Sequence, residues 1–74
     1  MNNFRENMAH YFGEIVFSLR REKHMKQEDL ALQTGISRRT IRRIEKGEAC
    51  TDFVSMYIIC AALGERWGDV WQKN

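Results

Sequence analysis

The chain has 74 residues, of which 43% are hydrophobic, with two cysteines, two histidines, no proline and a net charge of +2. That length leaves room for one small domain, residues 1–74, with a limited core. The hydrophobic content excludes a disordered tail, and two cysteines are too few for a disulfide-stapled secreted scaffold.

With no proline and little β-branched alternation, the sequence predicts an all-α fold: a compact five-helix bundle. Asn3 is placed to cap a first helix whose apolar positions Phe4, Met8, Phe12, Ile15, Val16 and Leu19 share one face. It should end near His24, where Arg20, Arg21 and Lys23 suit the negative end of the helix dipole. Gly13 is the natural break, which would leave residues 1–10 as an N-terminal arm or a helix extension.

A second helix follows over residues 27–34, with Glu28 and Asp29 at its positive end. Lys26 is a poor cap, so Gln27 is expected to be exposed and untethered. Gly35 supplies a left-handed turn, Ile36 plugs the core, and Ser37 can accept a bond from the amides that open a third helix. Helix, short glycine turn, helix is the helix-turn-helix unit, here residues 27–46. Asp52 should cap a fourth helix, Phe53 to Leu63, that is apolar nearly all round. Such a helix needs cover on two sides. Phe53, Met56, Tyr57, Cys60 and Ala61 form one stripe; Val54, Ile58 and Ala62 form another. Gly64 closes this helix, and Trp67, Val70 and Trp71 suggest a last short one.

The third helix carries the chemistry. Between Ser37 and Gly47, at about 100° per residue, Arg38, Arg39, Arg42 and Arg43 fall within an arc of about 140°. Ile41 and Ile44 lie opposite. Setting aside those four arginines leaves eight basic residues against ten acidic, a balance of −2. Positive charge is therefore gathered on one element, as the footprint of a polyanion partner requires. A helix of this kind fits the major groove of duplex DNA, where arginine grips phosphate or pairs with guanine.

Other chemistries find little support. Cys50 and Cys60 read as reduced thiols of a cytoplasmic protein, and no histidine joins them at metal-ligand spacing. No nucleophile stands beside a base and no glycine loop cradles phosphate, so neither an enzyme nor a cofactor is expected. The longest apolar run is too short to span a bilayer.

In this order of elements the chain resembles the lambda-repressor and Cro type of helix-turn-helix family. The resemblance spans residues 12–71. It rests on Leu19-Arg20-Arg21-Glu22-Lys23, Gln27-Glu28-Asp29-Leu30-Ala31, Gly35-Ile36-Ser37, Ile41-Arg42-Arg43-Ile44-Glu45-Lys46-Gly47 and Ala61-Ala62-Leu63-Gly64. It implies that the second and third helices read DNA. Arg38, Arg39 and Arg43 then look into the major groove, Lys26, Gln27, Arg42 and Lys46 meet phosphates, and Arg20 pairs structurally with Glu45. Two positions depart from the family pattern. Lys26 stands where Thr or Ser is common, and Thr51-Asp52 replaces the usual Pro-Ser.

The expected function is a small stand-alone transcriptional regulator, repressor or activator, bound as a homodimer to a palindromic operator. Val54, Ile58, Trp67, Val70 and Trp71 are the candidates for the symmetric interface. Arginine as the reading residue predicts guanine-containing half-sites. The rival reading is a protein-interaction module whose arginines meet acidic side chains, with weak DNA affinity.

Overall fold

The computed structural model describes residues 4–48 and 52–72, and Asn3, Cys50 and Thr51 lie outside them. Among the described residues there are five helices and no strand: α1 (Phe4–Glu22), α2 (Gln27–Thr34), α3 (Arg38–Glu45), α4 (Phe53–Ala62) and α5 (Trp67–Val70).

Local chemistry sets their ends. The Ser37 hydroxyl accepts the Thr40 N–H at 3.1 Å, and the Asp52 carboxylate accepts the Ser55 N–H at 2.7 Å. Those bonds from the Ser55 backbone and side chain hold the Asp52 carboxyl below its ordinary pKa. Lys26 supplies no side-chain cap to α2. The Asp29 carboxylate reaches back instead, accepting the Lys26 N–H at 2.8 Å. This is the returning half of a capping box. At the far end of α3, Gly47 has φ +74°. There the Glu48 N–H bonds the Arg43 carbonyl and the Gly47 N–H bonds the Ile44 carbonyl. This paired closure is the Schellman motif, which needs a left-handed residue. His24 takes that role after α1 with φ 56°, an angle histidine tolerates better than most side chains.

Gly13 does not break α1, which continues through it as one helix of 19 residues. The residue serves packing rather than flexibility. A Cβ there would collide with the Ile44 carbonyl and lie 3.0 Å from the Glu45 carbonyl oxygen. Only glycine allows α1 and the end of α3 to cross this closely. The segment 4–10 is therefore a helical extension of α1.

Every helix contributes to a single buried cluster: Phe12, Ile15, Val16 and Leu19 from α1, Leu30 from α2, Ile41 and Ile44 from α3, Ile59 and Cys60 from α4, and Val70 from α5, with Leu63 between the last two. Each fully buried aliphatic contributes about 1.5–3 kcal/mol relative to exposure. Val70 is completely buried. It is core, which corrects its expected place on an interface: its side chain is already spent inside the chain.

The two apolar stripes of α4 divide differently from the expectation. Ile59 and Cys60 face the core, while Phe53, Val54, Tyr57 and Ile58 are 62%, 66%, 54% and 38% exposed. No described part of the N-terminal segment covers that side. The tryptophans of the C-terminal turn are half-buried in an aromatic chain. Phe53 meets Trp67 at 4.8 Å between ring centroids, Trp67 meets Trp71 at 5.3 Å, and Trp71 stacks on Tyr11 at 5.6 Å. The Tyr11 hydroxyl also donates to the Trp71 carbonyl at 3.2 Å. Much of each indole is thus occupied in joining α5 to α1 and α4.

Candidate nucleic-acid interface

The site is built on α3, whose eight residues put Ile41 and Ile44 inside and all four arginines outside. Glu45 closes the helix and Lys46 is its C-terminal cap. Ion pairing within the protein does not neutralise these cations: among the described residues the salt bridge is that of Arg20 with Glu45.

That salt bridge fixes the platform. The Arg20 Nε donates to Glu45 Oε2 at 2.6 Å, Nη2 donates to Oε1 at 3.0 Å, and Nη1 donates to the Met25 carbonyl at 2.8 Å. Glu45 Oε1 also accepts from the Gln27 amide at 3.0 Å. One carboxylate therefore ties α1, the start of α2 and the end of α3. Gln27 is tethered, contrary to the expectation of an untied side chain. With Arg20 and Glu45 both nearly buried, the pair adds little net stability but costs much to break. The Arg20–Glu45 pairing implied by the resemblance is present.

Around this clamp the cations split into two rows. Arg38, Arg42 and Lys46 line a groove with Phe17, Gln27 and Glu45. Arg38 also borders a shallower depression with Arg20, Lys26, Gln27 and Glu28. Helical spacing puts Arg39 and Arg43 on the other flank of α3. The residues expected at phosphates and those expected at bases thus share one exposed face, and Arg38, expected at bases, lines the same groove as Arg42 and Lys46. Gln27 and Glu28 open α2, where the first amides have no intrahelical acceptor and the dipole favours anions.

Compared with known protein families, the chain matches the helix-turn-helix family over residues 17–70. The chain belongs to the lambda-repressor/Cro-type helix-turn-helix family. It is accordingly a DNA-binding protein of transcription regulation, and DNA is its partner. The match takes in all of α2 to α5 and the part of α1 that carries Arg20. Among curated proteins no match was found.

Two parts of this helix-turn-helix site escaped the sequence reading. Gln27 bonding to Glu45 joins positions 18 apart, and no local spacing announces it. Phe17 had a signal: it is a phenylalanine left off the first helix's stripe, with arginines three and four positions on. Cys60 is buried, and desolvation, followed by the negative charge of Glu65, pushes its thiol pKa up to about 11. It is a packing residue. No cluster of metal-ligating side chains exists among the described residues, and no described helix is long and apolar enough to cross a membrane.

Proposed function

We propose that this chain binds duplex DNA sequence-specifically as a two-fold dimer, with α3 in the major groove of each half-site. Arg38, Arg39 and Arg43 read base edges, preferring guanine, whose O6 and N7 accept a guanidinium fork. Lys26, Gln27, Arg42 and Lys46 contact phosphates on either side. The observation that carries the reading is the outward ridge of four arginines, in no salt bridge among the described residues and held on a clamped scaffold.

Dimerisation follows from what one helix can discriminate. A short α3 spans only a few base pairs, and a pair of half-sites about 34–36 Å apart is the usual remedy. The exposed Val54 and Ile58 of α4, beside Phe53 and Tyr57, support a second copy as the cover. Trp67 and Trp71 contribute only what their aromatic chain leaves outside. Repression by occupying a promoter would need no more than this DNA-holding bundle.

Selection of bound sequences from a random duplex pool, with sedimentation of the free protein, tests the proposal. The expected outcome is an enriched guanine-containing inverted repeat and a dimer at micromolar concentration. Failure to enrich any motif would refute specific reading, and a strict monomer, free and on DNA, would refute the two-fold arrangement.

A further inference from the structure

Phe17 is an unexplained feature of α1. The residue is 42% exposed although it stands at the edge of the buried face. The Arg20 and Arg21 guanidinium carbons lie 5.5 Å and 5.3 Å from its ring centroid, within cation–π range. Arg20 is engaged with Glu45 and the Met25 carbonyl through all three of its nitrogens. Arg21 is exposed and has no carboxylate within salt-bridge distance among the described residues.

The ring also forms a wall of the groove lined by Gln27, Arg38, Arg42, Glu45 and Lys46. Arg20 and Glu45 neutralise each other there. What remains is an apolar wall under three uncompensated cations, with Arg21 beside it. An occupant must therefore be anionic and also offer C–H surface. A sugar–phosphate strand does both: deoxyribose presents an apolar edge to the ring while its phosphates meet the cations. Two of those cations, Arg42 and Lys46, are also the ones already assigned to phosphate at α3 and its cap.

We propose that Phe17 and Arg21 form a DNA-backbone contact on α1, the ring receiving a deoxyribose and Arg21, held over that ring, meeting the adjoining phosphate. The contact rests on the DNA-binding reading above and extends it to a helix outside the helix-turn-helix unit. It is sequence-independent and sets the register of α3 on the duplex, because backbone contacts position while base contacts specify.

The test measures Phe17→Ala, Phe17→Leu, Arg21→Ala and Arg43→Ala against labelled mixed-sequence duplexes over a range of salt, with hydroxyl-radical footprints of each complex. Phe17→Ala and Arg21→Ala should each weaken binding about five- to tenfold on every sequence, and Arg21→Ala should lower the salt slope by about 0.9. Phe17→Leu should fall between wild type and Phe17→Ala. In the Phe17→Ala footprint, sugars at the edge of the protected region should become cleavable. If Phe17→Ala unfolds early, Arg21→Ala, which touches no core side chain, carries the test. Wild-type affinity, slope and footprint in both, alongside lost base preference in Arg43→Ala, would overturn this contact and leave the DNA reading standing. A wild-type protein that binds no duplex would overturn both. Loss of binding to poly-glutamate with duplex affinity unchanged would overturn it in favour of an acidic protein partner.

Discussion

α3 and α4 each turn to solvent a surface that folding does not require, and the two surfaces are opposite in kind. α3 buries Ile41 and Ile44 and shows four guanidiniums; α4 buries Ile59 and Cys60 and shows Phe53, Val54, Tyr57 and Ile58. The outward residues of α3 repel one another, and those of α4 leave apolar area in water. Both therefore oppose stability, or at best leave it unchanged, in the isolated chain. The difference lies in how each helix is held. α3 is fixed by the Ser37 cap, the Gly13 crossing and the Glu45 clamp, so its chemistry is presented at a defined angle. α4 has a cap of its own in Asp52 but no such clamp, and is otherwise held by core packing and by the aromatic chain to α5.

Substitutions that loosen the platform should separate the two roles of α3 most sharply. Glu45→Ala strands the buried Arg20 guanidinium and removes the acceptor of Gln27, and should cost about 3–5 kcal/mol in urea denaturation. Gly13→Ala should cost about 1–3 kcal/mol, because the new methyl meets backbone that cannot step aside. Arg43→Ala should leave the denaturation midpoint nearly unchanged while losing about 1–3 kcal/mol of base discrimination in competition binding. If Arg43→Ala instead lowered affinity equally on all duplexes, that side chain would belong with the phosphate row.

For α4, Val54→Glu puts a charge on the uncovered face and should shift sedimentation towards monomer, with monomer stability changed by only about 0.5 kcal/mol. The last effect concerns its inward side and is confined to alkaline pH. The Cys60 thiol has a folded pKa of about 11 against an ordinary value of 9.0. The unfolded chain therefore loses that proton first. Stability from this group is complete below pH 9 and declines between pH 9 and 11. Iodoacetamide labelling in a Cys50→Ser background should be slow until the chain unfolds; rapid labelling at pH 8 would contradict its burial.

Much of α3 was legible because its signals are local: a Ser cap, a glycine stop, two isoleucines opposite four arginines. The all-α fold followed from periodicity in the same way. What escaped was set by three-dimensional neighbours. Gly13 reads locally as a helix breaker, yet it lies on the same face as Phe12, Val16 and Arg20, where a crossing helix would demand a bare backbone. Val70 reads as one of several apolar residues near the C-terminus, and only packing shows that it fills the core while Val54 does not. The Arg20–Glu45 pair joins positions 25 apart, and the family resemblance suggested it where no spacing could.

The aromatic chain gives the protein its own optical gauge. Both indoles of the 74-residue chain stand on or beside α5, pressed against Tyr11, Phe12 and Phe53. Intrinsic emission will therefore track whether the C-terminal turn is seated on the middle of α1 and the start of α4, and will stay nearly silent to events confined to the arginines. A red shift that precedes the loss of helical ellipticity on heating would reveal that this latch lets go before the rest of the bundle.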